Sequence, residues 1–173
     1  PRKLGVMWLV DDEAMVLGKL GPDPLDSGLT PEALGNLLKG RSALIKVVLL
    51  VQGAIAGIGN MYADEALFEA RIYPRKRANE LSKDEVERLF SAIRQVLESG
   101  IAHMGATVRD FRNPDGEPGE AQVFFNVAHR RGKLCLICGT RIERIRIRNR
   151  GTYFCPRCQR ALTAMLSAPL NRL

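Results

Sequence analysis

The chain has 173 residues, 46% of them apolar and 26% charged, an ordinary globular composition that excludes disorder and collagen-like repeats and suits one domain or two small ones sharing a core. No apolar run approaches the ~20 residues of a membrane span. Net charge is +7, but the 53 residues from Ala121 onward hold eleven Lys/Arg against one acid, a net of +10, leaving the first 120 residues at −3, with fifteen against eighteen.

Such an asymmetry favours a polyanionic partner, nucleic acid before anionic membrane, with a merely soluble basic surface as the bland alternative. The opening Pro1-Arg2-Lys3-Leu4-Gly5 has neither an initiator Met nor a signal-peptide layout, so the chain reads as a piece of something longer. The expected location is the cytoplasm, in association with the nucleoid.

In chain order, Gly5-Val6-Met7-Trp8-Leu9-Val10 predicts a strand ending at Asp11-Asp12, and Gly21-Pro22-Asp23-Pro24-Leu25-Asp26 a linker. Thr30-Pro31-Glu32 starts a helix, with Thr as N-cap and Pro at the first helical position, and that helix ends near Gly40. Ala43 to Gln52 predicts a largely apolar helix with Lys46 as its main exception, broken by Gly53. A Gly-rich turn, Ala56-Gly57-Ile58-Gly59-Asn60, leads into a helix from about Met61 to Ala70. Two helices joined this way aim backbone N–H groups and Asn60 into one place, which suits a phosphate; a plain helix–helix corner explains the pattern equally well. Ser82-Lys83-Asp84-Glu85 is a capping box opening a helix of roughly 20 residues, with Val86, Leu89, Phe90, Ile93 and Leu97 on one face. Between Met104 and Gln122 lies a long loop, a functional segment or a mobile connector.

The four cysteines, Cys135, Cys138, Cys155 and Cys158, read C-x2-C-x16-C-x2-C. A two-residue spacer lets both thiolates of a pair face one ion, and the linker holds one β-hairpin that closes a tetrahedron around zinc. Two disulfides would need an oxidising compartment, and a redox pair a βαβ context; neither is indicated. In the hairpin, Arg144-Ile145-Arg146-Ile147-Arg148 alternates with period two, Asn149-Arg150-Gly151 predicts the turn, and Thr152-Tyr153-Phe154 the returning strand. The isoleucines are expected to bury and the arginines to face a phosphate backbone.

Together these segments resemble the formamidopyrimidine-DNA glycosylase and endonuclease VIII family. The run from Ile55 to Phe68 is similar to its helix–two-turns–helix motif, and Arg150 with Gly151-Thr152-Tyr153-Phe154-Cys155-Pro156-Arg157-Cys158-Gln159 to its C-terminal finger. Gly21-Pro22-Asp23-Pro24-Leu25 also matches, so the resemblance is collinear over residues 1 to about 160. Residues 61–66 and 107–111 look more like the branch acting on 8-oxoguanine and formamidopyrimidines.

Such enzymes flip the damaged nucleotide out of the stack. The resemblance implies that Ala106, Thr107, Val108, Arg109, Asp110 and Phe111 close over the flipped purine. It implies that Asn60, with Gly59, and Arg150 hold phosphates, with Lys46 as a third contact, and that Arg2 and Leu4 occupy the wedge loop. Met104 stands where the family carries the first of two glycines, and Asn126-Val127-Ala128-His129-Arg130 departs from the family's usual run. The family's nucleophile is an N-terminal proline followed by glutamate. Pro1 is followed by Arg2 and is not that proline, so no catalytic residue is expected in this chain.

The expected fold is mainly α with small β: a remnant of an N-terminal domain over residues 1–29, a helix–two-turns–helix domain over 30–120, a zinc-binding hairpin over 121–161, and a tail over 162–173. The expected function is the damaged-DNA-binding part of a base-excision-repair glycosylase and abasic-site lyase. Its expected cofactor is one structural zinc, and its partner duplex DNA with an oxidised base or abasic site, bound by a monomer. A non-catalytic lesion-binding module and an RNA-binding zinc ribbon are the rival readings.

Overall fold

The computed structural model describes residues 8–108, 111–113 and 115–161. Two helices begin where the sequence places cap chemistry. Thr30 Oγ1 accepts from Ala33 N at 3.1 Å and opens α2 (Pro31–Lys39). Ser82 and Glu85 form a reciprocal capping box at the head of the 20-residue α5 (Lys83–Ala102). Between them lie α3 (Ile45–Leu49) and α4 (Asn60–Glu69), and a single exposed turn, α1 (Ala14–Leu17), precedes α2.

Leu34 and Leu38 of α2, Ile45 and Leu49 of α3, Leu67 of α4, and Leu89 and Ile93 of α5 share one buried cluster. Each such side chain contributes about 1.5–3 kcal/mol by leaving water. The linker at residues 21–26 is strapped onto this core. Ala56 N donates to Pro22 O, and the Arg94 guanidinium reaches the carbonyls of Pro24, Leu25 and Asp26.

Three expectations need correction. The strand over residues 5–10 does not form where it is described: Trp8, Leu9 and Val10 pair with nothing, and residues 5–7 lie outside the described residues. Extended backbone without a neighbouring strand has no ladder to join. The helix expected over 43–52 is only α3, because its flanks are claimed elsewhere. Leu44 bridges to Arg77 with Ile45 N on Lys76 O at 2.8 Å, and Gln52 O accepts from Gly21 N at 2.8 Å. The hairpin turn is Arg148-Asn149, one step earlier than expected. Both residues have positive φ (41° and 62°), as a two-residue turn matched to strand twist requires. The antiparallel strands are therefore β1 (Glu143–Ile147) and β2 (Arg150–Phe154), in register from Glu143↔Phe154 to Ile147↔Arg150.

As expected, Ile147 is buried and Ile145 half-buried, while Arg144, Arg146 and Arg148 are exposed. The ribbon packs on the helices through Phe68, Val127, Cys135, Ile142 and Cys155. The long loop is internally bonded where it is described. Thr107 Oγ1 accepts from Gly119 N and donates to Phe111 O, and Gln122 Oε1 accepts from Thr107 N at 2.7 Å. Met104, at the family's glycine position, has φ +57°, which explains why glycine is preferred there. Pro1, Arg2, Leu4, Arg109, Asp110 and the tail lie outside the described residues.

Candidate nucleic-acid interface

The four cysteine sulfurs lie within 4.8 Å of one another, with Cys138–Cys155 at 3.4 Å and Cys135–Cys158 at 3.9 Å. Four thiolates at ~2.3 Å from a tetrahedral zinc ion stand about 3.8 Å apart, so the cluster fits that ion. The first knuckle closes by Gly139 N on Cys135 O at 2.9 Å, with Gly139 at φ +72° as its place in the turn demands. The second closes by Gln159 N on Cys155 O at 2.9 Å. Gln159 is wholly buried; its Oε1 accepts from Cys155 N and its Nε2 donates to Ile72 O, tying the second knuckle to the helical domain.

Ahead of α4 the chain turns through Gly57 (φ +78°), where Gln52 accepts from Gly57 N and donates to Ile58 O. Gly59 caps α4 without any side-chain hydrogen bond, leaving the first-turn N–H groups open toward an anion. Asn60 Nδ2 donates to Gly151 O at 3.0 Å, so the helix start and the hairpin, 91 residues apart, meet beside exposed Arg150.

Beneath this joint lies Lys46. It is fully buried, donates to Asp64 Oδ1 at 2.5 Å and approaches Gly151 O at 3.4 Å. Asp64 Oδ2 accepts from Tyr153 N at 3.1 Å. Burial pushes the Asp64 carboxyl up to about 6 against the pull of Lys46, and pulls the Lys46 ammonium down. Lys46 is thus an internal counter-ion. The expectation of a phosphate contact there is corrected, because its ammonium faces protein.

A model of the formamidopyrimidine-DNA glycosylase H2TH domain matches residues 20–112, and one of the zinc finger found in FPG and IleRS matches 132–161. The chain belongs to the formamidopyrimidine-DNA glycosylase family. It is similar to the formamidopyrimidine-DNA glycosylases of Desulfitobacterium hafniense (47% identity over 91% of this chain and 59% of the relative) and Thermomicrobium roseum (47%, 91% and 56%). It therefore spans less than two-thirds of the length of these relatives. Among solved structures it superposes on MutM (FPG) from Thermus thermophilus with a TM-score of 0.81 and 40% identity, covering 86% of this chain and 57% of that one. Lactococcus lactis Fpg in complex with abasic-site DNA gives a TM-score of 0.78 and 33% identity, covering 85% and 54%.

As in the family's zinc finger, the four cysteines hold one structural zinc ion. Two buried acids that hold segments of this chain together carry no role in the sequence reading beyond membership of the helical motif. Asp64 is one. The other is Glu65, buried, whose carboxylate accepts from Asn126 N, Val127 N and Ala128 N at 2.7–2.9 Å. Burial raises its pKa and the three N–H groups oppose that rise. Because the partners are backbone N–H groups, residues 126–130 can depart from the family pattern without loosening this hold. The signal in the sequence was an acidic pair inside an otherwise apolar helix stretch.

Proposed function

We propose that this chain is the damaged-DNA-binding part of a base-excision-repair glycosylase and abasic-site lyase acting on oxidised purines in duplex DNA. The observation that carries the reading is the bond from Asn60 to Gly151 O, which sets an open helix N-terminus beside the strand start that carries exposed Arg150. Both recognise phosphate, one through N–H groups and dipole, the other through its planar fork. Residues 106–108 and 111 form the wall over the flipped purine, and Thr107, bonded on both sides, holds that wall in shape. No helix among the described residues is long and apolar enough to cross a membrane.

Base removal needs an activated amine and a carboxylate free to move protons. Asp64 and Glu65 are both occupied by buried partners, so neither serves, and we infer that the chain binds without cutting. The test is binding to an abasic duplex with borohydride trapping. Tight, salt-sensitive binding without a covalent adduct is expected, and Asn60→Ala or Arg150→Ala should weaken it on all duplexes alike. A covalent adduct that disappears when the Pro1 amine is blocked would overturn the non-cutting reading. Unchanged binding in both variants would overturn the phosphate assignment.

A further inference from the structure

The hairpin presents a second charged flank. β2 lies against α4, where Tyr153 N meets Asp64. β1 faces the other way, and between it and the entry to α3 opens a cleft lined by Ser42, Leu44, Arg75, Arg77, Arg146 and Arg148. Four exposed guanidiniums from two distant segments therefore converge on one opening.

Arg77 is oriented by donating to Ser42 O at 2.9 Å, and its nearest ion-pair partner, Glu80, stands at 3.9 Å with both side chains more than half exposed. Among the described residues no carboxylate lies within ion-pairing distance of Arg75, Arg146 or Arg148. Like charges brought together without counter-charge repel, and a bound polyanion relieves that repulsion. Arg148 adds a second sign. It sits in the hairpin turn at φ +41°, where glycine or asparagine is the comfortable choice, and there it holds a guanidinium at the tip. Ile147 pairs with Arg150, so this cleft and the Asn60–Arg150 junction share one hairpin end.

We propose that the arginine cleft is a second phosphate-binding site, which takes the DNA backbone beyond the stretch gripped by Asn60 and Arg150. This rests on the DNA-binding reading above. Exposed arginine forks along an open cleft suit successive phosphodiesters of a strand passing across it.

The test is salt-dependent binding of the whole chain to an abasic duplex of about two helical turns. Arg75→Gln with Arg148→Gly should lower the slope of log affinity against log salt by about two, near 0.9 for each phosphate no longer neutralised. Glycine fits the turn at residue 148, so the loss reads charge, not misfolding. Arg75→Lys with Arg148→Lys should retain most of the slope. An unchanged slope in the Arg75→Gln/Arg148→Gly protein, while Arg150→Ala still lowers it, would overturn the second site and leave the DNA-binding reading standing. Failure of the unsubstituted chain to bind the duplex would instead sink both. Calorimetric titration with inorganic pyrophosphate is the remaining arm: uptake dependent on Arg75 and Arg148, with the duplex slope unaffected by them, would make the cleft a free-anion site and refute the DNA assignment.

Discussion

Replacing Asp64 by Asn tests whether Lys46 is an internal counter-ion. The pair is completely buried, so Asp64→Asn leaves the ammonium without its counter-charge, and the amide oxygen can accept from Lys46 Nζ or Tyr153 N while its NH2 group is forced against the other donor. Breaking one partner of a buried pair costs about 3–5 kcal/mol, since the remaining charge keeps its desolvation penalty and loses its compensation. With a urea m-value of about 2 kcal/mol/M, the midpoint should fall by roughly 1.5–2.5 M. Circular dichroism is the suitable probe, because the single tryptophan, Trp8, is exposed and reports little of the core.

The matched control is Lys46→Met with Asp64→Leu, which removes both charges. Only the Tyr153 N–H is then left without its acceptor, at about 1–3 kcal/mol, so the double variant should be more stable than Asp64→Asn alone. A single-variant cost under about 1 kcal/mol, or a double variant worse than the single, would refute the counter-ion argument. The same double variant separates the two roles considered for Lys46. Its salt slope for DNA should match that of the unsubstituted chain, whereas a drop of about one would restore Lys46 as a phosphate contact.

Other expectations follow from the same geometry. Cys155→Ser, or a strong chelator, should release one zinc, unravel the ribbon and abolish DNA binding while leaving most helical dichroism, since the core of α2 to α5 lies in a separate cluster. Gly59→Ala meets no steric obstacle, because its φ is −91° and an added Cβ has nothing within 4 Å, so it should cost only the cap preference of glycine over alanine, under about 1 kcal/mol, yet it should weaken DNA binding by intruding on the open helix start. Equal binding by that variant would remove α4 from the interface. For Glu85, burial alone would raise the pKa, but the Lys76 ion pair and Ser82 N outweigh it and hold the carboxyl below its ordinary 4.5. A depressed carboxyl contributes stability above its unfolded value and loses it as pH falls through the folded one. That contribution should thus fade below pH 4.5 in the unsubstituted chain, and the fade should be missing in Glu85→Gln, as acid titration of the unfolding midpoint will show.

What was legible in the sequence was local chemistry. Thr30 and Ser82 mark helix starts because a cap's partner lies three residues away. The cysteine knuckles were equally readable, since each closes within its own turn. α3 was misjudged because its limits are set by Lys76 and Gly21, which no window around Ile45 contains. The hairpin turn was displaced because Arg148 and Asn149 adopt positive φ without the glycine that announces it, while Gly151 stands in the strand. Lys46 shows the same limit at the site. The family resemblance implies a phosphate contact for Lys46, and only the placement of α4 reveals Asp64 against it.

Asp64 and Glu65 are neighbours on α4, yet they engage different segments: Asp64 reaches Lys46 and the backbone of β2, and Glu65 the backbone at residues 126–128. One helix thus keeps its N-terminus open while buried Asp64 docks the hairpin that bears Arg150 and buried Glu65 anchors the segment at residues 126–128. The start of α4 and the Arg150 hairpin, proposed above to bind phosphate, hold one spacing because Asp64, the acid that joins them, is sealed away from water, where its hydrogen bonds are strong and few alternatives compete.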